Sequence, residues 1–161
     1  MSAINIEVAI EHLRAEDDDR EFIQGLLDAA EEAACNFMAR RVYADAPAMV
    51  AGRAAAVELR AQARISYSAA MATADLMYEE DDRLSAVEIA GYNLKHAITQ
   101  SEAMSLSIVL TPAIQAACLL ILGHLYTNRE DVVAGAGTMT AVALPQGSRF
   151  LLAPYRVQMG V

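Results

Sequence analysis

The sequence predicts a mainly α protein: a small helical bundle with a long buried helix toward the C-terminal end, a short extended segment and a C-terminal docking tail. Three observations predict it. Apolar residues recur at helical period in several separate windows, 33 of the 161 residues are alanine, and favoured helix-start residues stand in front of the apolar windows. At this length a single domain spanning 1–161 is expected, burying roughly two-thirds of the surface of the unfolded chain.

The elements follow in order. Asn5 can cap a first helix in which Ile6, Ala9, Ile10 and Leu13 make one apolar stripe, with Arg14 at its C-terminal end. Asp18 and Glu21 have capping-box spacing for a second helix, whose apolar positions Phe22, Ile23, Leu26, Leu27, Ala30, Ala33, Ala34, Phe37 and Met38 keep helical period. Pro47 marks a break. A long third helix is expected over Ala48 to Tyr78, with an interruption near Ser66 to Ser68, and the acids Glu79 to Asp82 read as a solvated turn. Ser85 and Glu88 suggest a second capping box, flanked by Leu84 and Ile89 as a hydrophobic staple, for a fourth helix ending about Ile98.

From Met104 to Ile108 polar and apolar residues alternate, which suggests an extended stretch. Thr111 at a cap and Pro112 at the first helical position then open a strongly apolar helix, with Gly135 as a left-handed stop. Ile114, Ala117, Cys118, Ile121, Leu122 and Leu125 form one face. Leu119, Leu120 and Gly123 leave little polar surface elsewhere, so this helix must be covered on most sides, by its own domain or by a neighbouring subunit. Thr138 to Leu144 has the β-branched content of a short strand, Pro145-Gln146-Gly147 is a turn signal, and Ser148 can cap a short helix that Pro154 ends.

Composition narrows the function classes. A formal charge of −9 with a single lysine, Lys95, argues against binding nucleic acid through phosphate neutralisation. No window reaches the roughly 20 apolar residues of a membrane span, and early acids Glu7, Glu11 and Glu16 do not fit a secretory leader; synthesis in the cytoplasm is the expectation. Cys35 and Cys118 lie inside apolar helical patterns and read as buried reduced thiols.

Candidate chemistry is thin. His12, His96 and His124 lie in separate helices without a second ligand at helical spacing, so no metal site and no cofactor are expected. The acidic runs lack the calcium-loop pattern. Cys118 and His124 stand on opposite faces of one helix, and Gly135-Ala136-Gly137 has neither the lysine of a phosphate loop nor a third glycine. The reading is a non-enzymatic chain. Arg53, Arg60 and Arg64 lie along one side of the third helix, as a solvated face or as partners for acids of a neighbouring subunit.

Two segments carry a resemblance. Glu7 to Arg14 reads EVAIEHLR and leads through an acidic turn into an alanine-rich helix ending at Phe37 and Arg40. The proline-initiated apolar helix continues through Gly123, His124, Tyr126, Asn128, Arg129 and Glu130, and after a glycine-containing gap come Leu144-Pro145 and Leu151, Leu152, Pro154, Tyr155, Arg156. That order resembles the head-tail connector family of tailed bacteriophages, over about Ile4 to Tyr43 and Leu110 to Val157. Residues 44–107 depart from the compact members and read as a helical insertion.

The resemblance implies a structural virion protein at the head-tail junction. It would be a homo-oligomeric ring of about twelve subunits, adapting the portal to tail-completion (stopper) proteins, with a channel that DNA traverses without specific binding. The interface residues it suggests are Tyr126, Asn128, Arg129, Glu130, Leu144, Pro145, Phe150, Leu151, Leu152, Pro154, Tyr155 and Arg156. A small helical dimeric binding or regulatory protein, and another virion ring component such as a tail-completion protein, are the alternatives.

Overall fold

The computed structural model describes residues 2–128 and 144–157. Six α-helices stand among these: α1 (Ile6–Leu13), α2 (Arg20–Met38), α3 (Ala46–Ala74), α4 (Glu80–Ser105), α5 (Pro112–Thr127) and α6 (Gln146–Leu152). Two-residue strands β1 (Val42–Tyr43) and β2 (Ile108–Val109) form the sheet. The mainly α expectation is met. The chain divides into two compact units, Met1–Asp45 with Val109–Val161 and, between them in sequence, Ala46–Ile108.

In the first unit α5 is packed by α1, α2 and α6, so much of its apolar circumference is covered within its own unit. Ile23, Leu27, Ala30, Ala34 and Met38 of α2 are buried, as are Ile114, Ala117, Cys118, Ile121 and Leu122 of α5, Ala9 of α1 and Leu152 of α6. Branched and sulfur side chains of this size each contribute about 1.5–3 kcal/mol when fully buried, which makes this the main core of the chain.

Local signals explain most helix starts here, and the misses have physical reasons. Asn5 Oδ1 accepts from the Glu7 N–H at 3.0 Å, and Thr111 Oγ1 accepts from the Ile114 N–H at 3.4 Å with Pro112 behind it. The capping box expected of Asp18 and Glu21 does not form. Asp17–Asp19 make a 3-10 turn, which leaves Asp19 at φ −88, ψ 4 instead of the extended backbone a capping side chain needs. Helices α1 and α2 end on left-handed residues that carry a Cβ, Arg14 at φ 53 and Ala39 at φ 54.

Helix α5 stops at Thr127, well before the expected Gly135, which lies outside the described residues. The His124 carbonyl accepts both from the Asn128 N–H at 3.0 Å and from Asn128 Nδ2 at 2.9 Å, which closes the last turn on Asn128. The strand expected over 138–144 falls outside the described residues up to 143. Ser148 is not a cap: it sits inside α6, and its hydroxyl donates back to the Pro145 carbonyl at 2.7 Å. Helix α6 ends at Leu152, ahead of Pro154 as expected, but Ala153 keeps helical angles and a 3-10 turn over Ala153–Tyr155 follows, taking proline in its first positions, where no N–H is needed.

The second unit is a helical pair, α3 against α4, joined by 75–79. Two cross-links fix an antiparallel arrangement: Arg53 Nη2 donates to the Ser107 carbonyl at 2.6 Å and Arg60 Nε to Ser101 Oγ at 3.1 Å. These correct the reading of that arginine row as wholly solvated. Its buried residues are small: Gly52, Ala56 and Ala74 on α3, Ala90 and Ser101 on α4, and Ser107 beyond. Small side chains admit close helix approach while removing little apolar area from water.

Here too the boundaries differ from expectation. Helix α3 begins at Ala46 with Pro47 in its first turn, and it passes Ser66 to Ser68 without interruption. Helix α4 begins at Glu80, so Glu80, Asp81 and Asp82 occupy its first turn and face the positive end of its dipole. Ser85 is interior to it. The helix runs to Ser105 rather than Ile98, and of the expected extended stretch Met104 to Ile108 only Ile108 is in a strand, Ile108–Val109.

Candidate assembly surfaces

The residues with the strongest claim to an interface fall into three positions. Tyr126 is half-buried, its ring 6.3 Å from that of Phe22 and its hydroxyl 3.5 Å from Asp19 Oδ2, so it closes α5 onto the start of α2. Asn128 is exposed and caps α5; Arg129 and Glu130 lie outside the described residues. Leu144 and Pro145 are half-buried where the chain enters α6.

The tail docks on its own unit. Leu152 is fully buried in the core, the Val157 N–H donates to the Met38 carbonyl at 3.0 Å, Thr111 Oγ1 donates to the Tyr155 hydroxyl at 3.3 Å, and the Arg156 guanidinium lies 5.5 Å from the Phe37 ring centre. Leu151 is half-buried, and Pro154 is exposed. Phe150 is the exception at 81 % exposed, projecting away from the side of α6 that buries Ser148 and Leu152. Of the tail's apolar and aromatic side chains, Phe150 is therefore the one most free to meet another molecule.

The N-terminal segment is held the same way, within the unit. Glu31 accepts from the Ala3 and Ile4 N–H groups, each at 2.9 Å, and from the Ser2 hydroxyl at 2.5 Å, seating Ile4 in the core. Charge-assisted bonds of this kind contribute about 1.5–3 kcal/mol each.

The larger exposed apolar surface lies on the helical pair, where periodicity had not singled it out. On α3, Val50 and Ile65 are 62 % exposed and Val57 69 %. On α4, Leu84, Ile89 and Tyr92 are exposed, Tyr92 lying nearly parallel to His96 at 6.2 Å. At the tip Leu76 is 86 % and Tyr78 98 % exposed. The signal available in the sequence was weak but real: the large apolar residues of Ala48 to Tyr78 are spread round the helix while alanines fill the seam, so some had to face outward.

Two absences hold among the described residues. No group of three or more His, Cys, Asp or Glu stands close enough to hold a metal ion, and no helix is long and apolar enough to cross a membrane. The recesses found are open ones on the helical pair: a depression of about 520 Å³ beside the tip, lined by Met77, Tyr78, Glu79 and Ile89, and a groove of about 260 Å³ between α3 and α4. Cys118 is buried, and desolvation, with lesser pushes from Glu31 and Cys35, drives its thiol up to about 12; burial raises Cys35 as well. Thiols so displaced stay protonated and unreactive at neutral pH. No protein-family description, no curated protein and no solved structure matches this chain.

Proposed function

We propose that the chain is a structural adaptor that assembles as a closed ring at the head-tail junction of a tailed phage, joining portal to tail-completion proteins around a passage for DNA. Two supports come from different levels. In sequence, the succession of residues from Pro112 to Arg156 resembles the connector family. The observation that carries most weight is physical: large apolar side chains from Val50 to Tyr92 stand in water on a helical pair whose own seam is alanine, glycine and serine. Surfaces of that kind mark assembly sites.

The tail sharpens the proposal. Since Leu152, Tyr155 and Arg156 are engaged within their own unit, the most exposed large apolar side chains among the described residues are Phe150 and those of the helical pair. A negative subunit also suits a DNA passage, because like charge keeps the nucleic acid from adhering to the wall.

Negative-stain imaging of the purified chain mixed with portal tests this reading. Rings seated on portal are the expected result; no decoration of portal at any concentration would overturn the adaptor assignment. A stable dimer that ignores portal would favour the small helical binding protein instead.

A further inference from the structure

The two helices of the pair differ in charge along their whole length. Helix α3 carries Arg53, Arg60 and Arg64 against Glu58, and α4 carries Glu80, Asp81, Asp82, Glu88 and Glu102 against Arg83 and Lys95, so one is net positive and the other net negative. Arg53 and Arg60 donate to neutral oxygens, a carbonyl and a hydroxyl, which leaves their charge uncancelled by those bonds. Both helices also leave large apolar side chains in water. Val50, Ala54, Val57, Ala61 and Ile65 fall within one sector of α3 opposite the seam of Gly52, Ala56 and Ala74, a stripe about 22 Å long. On α4, Tyr92 points away from the seam residue Ala90, with Glu88 and His96 beside it.

We infer that the α3 face binds the α4 face of a second copy of this chain, head to tail. A twofold pairing of α3 with α3 would set the arginine rows against each other, and α4 with α4 would do the same to the acids. Only the unlike pairing covers the α3 stripe and Tyr92 while bringing helices of opposite net charge together. Because the two surfaces are different, the contact is heterologous, and it repeats until a ring closes or a filament grows. This deepens the adaptor reading by naming the subunit contact, but its test uses the purified chain alone and does not involve portal.

Sedimentation velocity over a concentration series, at low and at high salt, is the experiment. The expected result is concentration-dependent assembly beyond a dimer that weakens as salt rises. V57E/I65E, at exposed positions, should weaken association about a hundredfold, while circular dichroism confirms an unchanged helix content. Charge reversal supplies the sharper arm: R64E alone and E88K/E102K alone should each assemble about tenfold more weakly, about 1.4 kcal/mol, and an equimolar mixture of the two should recover assembly. A wild-type chain that stays monomeric, a closed dimer, or assembly indifferent to all these variants would each overturn the contact. Portal decoration could survive any of those results, so the two readings fail separately.

Discussion

The two units are both helical and are built on opposite packing strategies. Unit one buries Ile23, Leu27, Met38, Ile114, Leu122 and Leu152, side chains large enough that their removal from water is the dominant favourable term. Unit two fully buries Gly52, Ala56, Ala74, Ala90 and Ser101, half-buries Leu59, Tyr67, Val87, Leu94 and Ile98, and leaves Val50, Val57, Ile65, Leu84, Ile89 and Tyr92 exposed. The difference teaches where each unit's stabilisation comes from. One is stabilised chiefly by its own interior, while the other leaves many of its large hydrophobic groups in water.

Three measurements would break or sharpen that contrast. The largest effect belongs to Leu122→Ala, which should cost about 3 kcal/mol in urea unfolding, as deletion from a filled core does, whereas Val57→Ala on the dilute chain should stay within about 0.5 kcal/mol. Equal costs would dissolve the comparison. Next, Ala56→Leu forces a large side chain into the narrow seam and should destabilise by about 1–3 kcal/mol, even though it adds apolar volume. Should it stabilise instead, the seam is looser than its buried alanines imply.

The third is a pH effect confined to unit one. With the Cys118 thiol pushed up to about 12 in the folded chain and near 9.0 when exposed, the folded state favours the protonated form. That contribution is whole below pH 9 and is lost as pH rises toward 12, at no more than about 1.4 kcal/mol per pH unit. Wild type should therefore lose stability relative to Cys118→Ala between pH 9 and 11 in denaturant titrations. Parallel curves for the two chains would show that the thiol is already solvated.

Much of unit one was legible in the sequence, because its signals are short-range and stereochemical. Asn5, Thr111 and Pro112 each solve a local hydrogen-bonding problem at a helix start, and they act as read. The failures came where one residue type serves two ends. Glu79 to Asp82 were assigned to a turn because acids oppose a helix C-terminus, yet they favour the N-terminus of the following helix, and Glu80 begins it. Ser85 and Ser148 looked like caps but lie inside helices, where the hydroxyl of Ser148 finds a carbonyl one turn back.

The candidate surfaces were less legible still. The tail composition of Phe150 to Arg156 says that those residues must dock, but choosing between the chain's own core and a neighbour depends on whether Leu152 and Tyr155 reach α5, which is a matter of distant packing. The outward apolar residues of α3 were hidden for a related reason. Periodicity registers a face only when the opposite side is polar, and alanine on the buried seam blurred that contrast.

The small-residue seam has a mechanical corollary. Its fully buried side chains, no longer than a hydroxymethyl group, have almost no rotamers to exchange, so the centre of the pair has few soft internal modes by which to absorb a push. A force applied at Leu76 and Tyr78 would travel the length of α4, about 39 Å, with little dissipation. The tip and the base of this strut should behave as one stiff lever.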